Sequence, residues 1–358
     1  MKIKDVVIET VKIELTEPFR VAFAEINYTE NILIKIVTDE GYEGYGEAAP
    51  FAPVTGETLD GSLSMLKTFR EGLIGMDPMD IERIHAMMDR LAHGNGSAKC
   101  AVDIALHDIK GKVMGQPLYK ILGGWQEVVQ NDITIGIGEP EAMIDAARRH
   151  VEQDGYRILK IKAGIDPDQD IAVMQGIRDA VGPKIRIRVD ANQGYNLSRA
   201  MYAIEGFKKA GVEAVEQCLP DWDMEGAAEL HSKVSGIQLM LDESLHTPHD
   251  AARAARLGAA DILNIKLMKC GGLYRGGQIS TIAENFGMTC MVGCMLETKI
   301  AITAGLSLVA SRRNITEADC DSFLYYKDAD TGMPGGFARK NDLFTLSDKP
   351  GLGLDISF

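Results

Sequence analysis

The sequence predicts an α/β protein built on an eight-stranded (β/α)-type barrel, preceded by a smaller α+β unit and followed by a short tail. Three observations carry this. From Asn131 to about Asp321, strand-like apolar runs alternate with helical patterns eight times over. Residues 1–125 instead place strands first and helices after them, the order of an α+β unit. Finally, lysines and carboxylates recur at the ends of barrel strands 2 to 8, the edge where a barrel gathers its function.

In the N-terminal unit, Val6–Leu15 and Ile32–Thr38 have strand character, and Asp39-Glu40-Gly41 forms a turn before Tyr42–Glu47. Helical patterns follow near Leu59–Leu73, Met79–Leu91 and Ala98–Met114. The last starts after Asn95-Gly96 with Ser97 as the expected N-cap, and stops at Gly115 with Pro117 beyond. Two polar stretches, Phe19–Glu30 and Ala48–Thr55, read as loops able to cover a site elsewhere.

The barrel strands are expected at Asp132–Ile137, Arg157–Lys162, Lys184–Asp190, Val212–Glu216, Ile237–Asp242, Asp261–Lys266, Met288–Val292 and Ile315–Asp319. Helical patterns between them include Glu141–Gln153, Asp168–Val181, Ser198–Ala210, His249–Leu257, Tyr274–Phe286 and Lys299–Ala310. A dinucleotide fold is disfavoured, because Gly136-Ile137-Gly138 runs into Glu139-Pro140 and not into a phosphate-binding turn. The tail, residues 322–358, is rich in glycine and proline and is expected to fold back on the N-terminal unit.

Bulk properties narrow the function. With 358 residues, 46% hydrophobic and 25% charged, the chain has an ordinary globular composition and enough length for a large core. A formal net charge of -14, spread along the chain, disfavours nucleic acid or an anionic membrane as partner. Met1-Lys2-Ile3-Lys4-Asp5 opens no apolar run, and no later stretch has the length of a membrane span, so a cytoplasmic protein is expected. The six cysteines form no CxxC pair and read as free thiols in a reducing compartment. The acidic surface is compatible with a homo-oligomer without requiring one.

The strand ends carry the chemistry. Lys160 and Lys162 share one face of strand 2, and two ammonium groups buried side by side need carboxylates or a ligand to offset them. Such crowding disfavours one of the two charges, which suits a general base at neutral pH. Taken alone, the segment also reads as an edge strand with solvated lysines. Asp190, Glu216 and Asp242 end three neighbouring strands, about 4.8 Å apart, so their carboxylates can converge. Each alone reads as a surface acid or a helix cap; three together form an all-oxygen set suited to Mg²⁺. Strands 2 and 6 lie opposite one another in an eight-stranded barrel, so Lys162 and Lys266 face each other across its mouth. A carbon held between them could lose a proton on one face and gain one on the other, inverting a stereocentre, with the metal stabilising the enolate.

Lys160-Ile161-Lys162, Asp190-Ala191-Asn192-Gln193-Gly194, Val215-Glu216-Gln217, Asp242-Glu243-Ser244 and Asn264–Gly272 together resemble the muconate-lactonizing subgroup of the enolase superfamily. The resemblance spans the whole chain. It implies a (β/α)₇β TIM-type barrel over residues 126–321, an N-terminal α+β capping domain over 1–125, and a C-terminal segment, 322–358, completing that domain. It also implies one Mg²⁺ on Asp190, Glu216 and Asp242, Lys162 and Lys266 as the acid/base pair, and Lys160 tuning Lys162. Asn192 and Gln193 then support Asp190 from behind. Asp319-Cys320-Asp321 looks like the Asp-x-Asp motif by which dipeptide epimerases hold the substrate's α-ammonium group, the two carboxylates pointing the same way. One departure is Cys218-Leu219-Pro220 after Glu216-Gln217, where family members more often place proline directly after glutamine; a changed loop is expected.

The implied reaction is epimerisation at the α-carbon of the C-terminal residue of an L-Ala-Xaa-type dipeptide. Selectivity for Xaa is expected from the capping loops and the ends of strands 7 and 8: Arg20, Ala24, Thr55, Cys294, Met295, Leu296 and Glu297. Arg20 opens the first loop, but Ala24 sits in its middle and Leu296 adds an apolar group, so a neutral or hydrophobic Xaa is expected over glutamate. Glu297 reads as a partner of Lys266 or as a helix N-terminal charge. The alternatives are an L-Ala-D/L-Glu epimerase in the strict sense, an o-succinylbenzoate synthase, N-succinylamino acid racemase or cycloisomerase, and a non-catalytic metal-binding scaffold. The aspartate pair argues against the synthase, racemase and cycloisomerase, and the two opposed lysines argue against the scaffold.

Overall fold

A computed structural model describes residues 1–21 and 24–356. The N-terminal unit is a three-stranded antiparallel sheet of Ile3–Val21, Ala24–Thr38 and Glu43–Ala48, backed by helices Leu59–Leu73, Ile81–Leu91 and Gly96–Met114. The first two strands run well beyond the expected ones. Phe19 pairs with Ile26, Arg20 with Glu25 and Val21 with Ala24, so most of the polar stretch expected to be a loop is strand. Those cross-strand partners, two apolar pairs and one ion pair, supply the stabilisation that composition alone does not reveal. Ala22 and Phe23 of the same stretch lie outside the described residues.

Helix Gly96–Met114 starts one residue before the expected cap. Its N-cap is Asn95, in the left-handed region at φ 55°, and the Ser97 N–H instead donates to Glu57 Oε2 at 3.0 Å. The helix lies almost against the third strand. A Cβ on Gly44 would sit 2.1 Å from the Ala105 carbonyl oxygen, and one on Gly46 1.9 Å from that of Ala101. Only glycine permits this approach.

The barrel strands are Ile133–Ile135, Ile158–Lys162, Arg186–Asp190, Ala214–Glu216, Gln238–Leu241, Ile262–Lys266, Thr289–Gly293 and Ile315–Asp319. They pair in parallel and in chain order, with a helix in each of the seven intervals. Parallel strands covered by helices are buried on both faces, which explains their near-continuous apolar runs. Helix Lys299–Ser311, after strand 7, is buried along its whole length.

The junction between strand 8 and strand 1 is closed mainly by side chains. Asp132 N donates to the Ala318 carbonyl at 3.2 Å, and Cys320 N donates to Asn131 Oδ1 at 2.8 Å. Thr134 N donates to Asp321 Oδ2 at 2.7 Å, and Thr134 Oγ1 to Asp319 Oδ1 at 3.2 Å. The aspartate pair is therefore also part of the barrel wall.

Two buried carboxylates of the N-terminal unit dock it to the barrel by capping barrel helices. Glu47 accepts from Thr298 N and Thr298 Oγ1, each at 2.7 Å, and from Ala301 N at 3.1 Å. Asp103 accepts from Leu273 N at 2.5 Å and Tyr274 N at 3.3 Å, while His85 Nε2 lies 2.7 Å from its other side. Negative charge at a helix N-terminus is favourable, and more so out of water. The tail forms a hairpin, Phe337–Lys340 with Leu343–Leu346, that pairs with Val128–Gln130. It then reaches helix Gly96–Met114, where Leu352 N donates to Asp108 Oδ1 at 2.9 Å. Among the described residues no helix is long and apolar enough to cross a membrane.

Candidate active site

The C-terminal ends of the barrel strands open into a cavity of about 500 Å³ roofed by the N-terminal unit. Lys160, Lys162, Lys266, Asn192, Asp319 and Asp321 line its base. Strand register explains how they meet. Lys162 pairs with Asp190, and Asp190 with Glu216, so these three stand at one level. Glu216 pairs with Met240, which places Asp242 two residues further along, just past the end of strand 5.

Asp190, Glu216 and Asp242 are all buried, and one oxygen from each lies within 4.8 Å of the others. Three converging carboxylate oxygens form an all-oxygen donor set, which fits Mg²⁺ in chemistry. The chain after two of these carboxylates, Asp190 and Glu216, is tightly constrained. Asn192, Gln193 and Gln217 adopt φ of 39°, 67° and 37°, a region that costs a non-glycine residue about 1–3 kcal/mol. Hydrogen bonds hold these turns: Asn192 N donates to Asp190 Oδ1 at 2.9 Å, and Gln193 N donates to the Gln217 carbonyl at 2.7 Å.

Lysines surround the carboxylates. Lys160 Nζ lies 2.7 Å from Asp319, 2.9 Å from Glu216 and 3.1 Å from Asp190. Burial opposes its charge, but these three acids outweigh burial and hold its pKa well above the usual lysine value. Lys162 Nζ is 2.7 Å from Asp190 Oδ2, and Lys266 Nζ is 2.8 Å from Asp242 Oδ2. Among the acids, burial pushes Asp190 up, yet Lys162 and Lys160 hold it down at about 2. Burial and the Asp190 charge raise Glu216 to about 7. One pocket thus holds a carboxylate kept ionised beside another biased towards its neutral form, the separation expected of a functional site.

Two residues around the carboxylates were not assigned from the sequence. Lys269, fully buried in the turn after strand 6, bonds both the carboxylate and the carbonyl of Asp242. Asn264 Nδ2 donates to Glu216 Oε1 at 2.5 Å. Both fall in the Asn264–Gly272 motif, but their spacing alone does not say which carboxylate each one serves.

The expected selectivity residues divide. Cys294, Met295 and Leu296 line the cavity, whereas Arg20, Ala24 and Thr55 do not. Arg20 Nε is bound to Glu25 Oε2 at 2.6 Å, both side chains being exposed, and it is Glu25 that lines the cavity. Thr55 Oγ1 donates to the Phe51 carbonyl. Glu297 directly precedes the helix N-cap Thr298 and accepts from Met295 N at 2.9 Å. Burial, and then the nearby Glu47, raise its pKa to about 8. The ion-pair partner of Lys266 is Asp242, not Glu297.

The family is decided by comparison with known proteins. Residues 142–357 match the model of the enolase C-terminal domain-like family, and residues 3–123 match the mandelate racemase/muconate lactonizing enzyme N-terminal domain. The chain belongs to the enolase superfamily. This superfamily member is 40% identical to an L-Ala-D/L-Glu epimerase of Clostridium acetobutylicum, over 99% of both chains. It is also 40% identical to a hydrophobic dipeptide epimerase of Enterococcus faecalis, again over 99% of both. Its structure matches that of a dipeptide epimerase from Enterococcus faecalis complexed with Mg and L-Leu-L-Tyr, at a TM-score of 0.96 and 40% identity. The match covers 99% of this chain and 100% of the other.

Proposed function

We propose that this superfamily member is a Mg²⁺-dependent dipeptide epimerase. It interconverts the two configurations at the C-terminal α-carbon of an L-Ala-Xaa-type dipeptide with a neutral or hydrophobic Xaa. The observation that carries this reading is that Lys162 and Lys266, from opposed strands, line one cavity together with Asp319 and Asp321.

Lys162 takes the α-proton from one face of the substrate while Lys266 supplies a proton to the other, and the roles exchange in the reverse direction. Asp319 and Asp321 hold the α-ammonium group, fixing which carbon lies between the lysines. Mg²⁺ on Asp190, Glu216 and Asp242 would place positive charge beside the substrate carboxylate next to the reacting carbon. Asn192, Gln193, Asn264 and Lys269 keep those three carboxylates in place.

The side-chain preference rests on what lines the rest of the cavity. Val21, Ile26, Phe51, Val54, Met295 and Leu296 give an apolar wall, and Glu30 and Glu57 add acidic groups, while Glu25 is paired with Arg20. Among the described lining residues the cations are Lys160, Lys162 and Lys266, all at the base. A glutamate side chain would meet like charge there; a hydrophobic one gains burial. The test is incubation of L-Ala-Xaa dipeptides with enzyme and Mg²⁺ in D₂O, following α-proton exchange at the C-terminal residue by NMR. Exchange with inversion is expected, and no exchange with any dipeptide would remove the reading.

A further inference from the structure

We propose that Tyr325 is a positioning residue for the substrate's α-ammonium group, its phenol fixing Asp321 and its ring tying that carboxylate to the capping strand. The inference rests on the dipeptide reading given above.

Tyr325 lies four residues past Asp321 and ends the one-turn 3₁₀ helix Ser322–Tyr325. Its hydroxyl donates to Asp321 Oδ2 at 2.7 Å and lies 2.9 Å from the Thr134 carbonyl. The same Asp321 oxygen accepts from Thr134 N at 2.7 Å. Asp321 thus has one oxygen engaged by two donors, a geometry that aims the carboxylate and leaves its second oxygen for a ligand. The Tyr325 ring stacks on Phe19 of the first strand, with centroids 5.2 Å apart. Two hydrogen bonds lash the same turn to that strand: Thr16 Oγ1 donates to the Tyr325 carbonyl at 3.1 Å, and Lys327 N to the Glu14 carbonyl at 3.2 Å. Tyr325 and Phe19 both line the cavity, so roof and ammonium site meet at this pair.

The electrostatics agree with the geometry. Burial, then the neighbouring Asp319, raise Asp321 to about 6, while the Tyr325 hydroxyl and Thr134 N–H act to lower it. The other titratable groups facing it are Lys160 from strand 2, Asp132 from strand 1, Cys294 beyond strand 7 and Tyr156 before strand 2. Removing the phenol takes away a donor that favours the ionised form, so the carboxylate gains its proton at a higher pH.

The experiment is calorimetric binding of two ligands to the Mg²⁺-loaded enzyme. L-Ala-Gly carries the ammonium group, and propionylglycine has the same shape without it. The parent is expected to prefer L-Ala-Gly by tenfold or more at pH 7.5, and to lose that preference as pH falls through about 6. Tyr325→Phe, which keeps the ring, should cut the preference at least fivefold at pH 7.5 and move the midpoint of its loss upward. An unchanged preference and midpoint, or equal weakening of both ligands, would overturn the proposal, because a merely structural role weakens both alike. Should Tyr325→Phe not fold, Phe19→Leu loosens the ring contact and should cut the preference at least threefold; no change there is equally fatal. If the parent binds neither ligand and exchanges no α-proton, the dipeptide reading itself fails and this proposal with it.

Discussion

Glu47, on the third strand of the N-terminal sheet, accepts both the backbone N–H and the hydroxyl of Thr298, the N-cap of a barrel helix, at 2.7 Å each. Asn31 Nδ2 completes the joint by donating to Glu47 Oε1 at 2.7 Å and to the Leu296 carbonyl at 2.8 Å. One buried carboxylate thereby fixes the docking of the roof and the position of the loop 294–297. Glu47→Ala leaves several buried donors unsatisfied, each worth about 1–3 kcal/mol, so a loss of about 3 kcal/mol or more is expected in the urea unfolding free energy. KM should rise with it, because Met295 and Leu296 line the cavity. A midpoint and KM equal to the parent's would show that the joint contributes nothing.

Glu297 gives the pH dependence a definite sign. Its folded pKa, about 8, lies above the ordinary glutamate value of 4.5, so the folded state binds the extra proton between those values. Stability therefore falls as pH rises through that window and recovers as pH drops towards 4.5. Glu297→Gln removes the titration while keeping an acceptor for Met295 N. The variant should exceed the parent in stability at pH 8 by an amount on the order of a few kcal/mol, and the gap should close near pH 5. Chemical denaturation at both pH values measures it; a gap independent of pH would contradict the assignment.

The two-base scheme makes both lysines indispensable. Lys162→Ala and Lys266→Ala should each lower kcat for epimerisation by about 10²–10⁴-fold or more, in both directions. Full activity in both directions from either variant would mean that a single group handles both faces.

The three carboxylates should also report the metal without turnover. Mg²⁺ binding only to the folded state raises the unfolding free energy, by about 2.7 kcal/mol at a hundredfold excess over Kd. This rise is expected for the parent, together with loss of activity on chelation and recovery on adding Mg²⁺. Asp242→Asn should lose most of the rise, and an equal rise in that variant would place the ion elsewhere.

A kinetic screen of L-Ala-Xaa dipeptides tests the cavity lining. Leucine, methionine and phenylalanine at Xaa should give higher kcat/KM than glutamate, since the lining cations sit at the base while Glu30 and Glu57 lie around the rest. A tenfold preference for L-Ala-L-Glu would reverse the assignment.

Much of this protein was legible in the sequence. Alternating strand and helix periods fix an eight-stranded barrel, because each period reflects which face must leave water. Lysines and acids at strand ends stand out because charge inside such a strand is costly without partners. Thus Lys160, Lys162, Lys266, Asp190, Glu216, Asp242, Asp319 and Asp321 could be named before any coordinates were known. What only the tertiary structure decided involves partners far apart in the chain. Arg20 reads as a selectivity residue in the sequence, but strand pairing ties its guanidinium to Glu25, and Arg20 itself does not line the cavity. Nothing local marks Tyr325 or Thr134, whose value comes from meeting Asp321 across a seam between the first and last barrel strands. Glu47 looks like an ordinary strand acid until a helix end arrives above it. Periodicity records burial, which is a local property of the chain. The direction of a side chain and the identity of its partner depend on register and docking, which no single segment encodes.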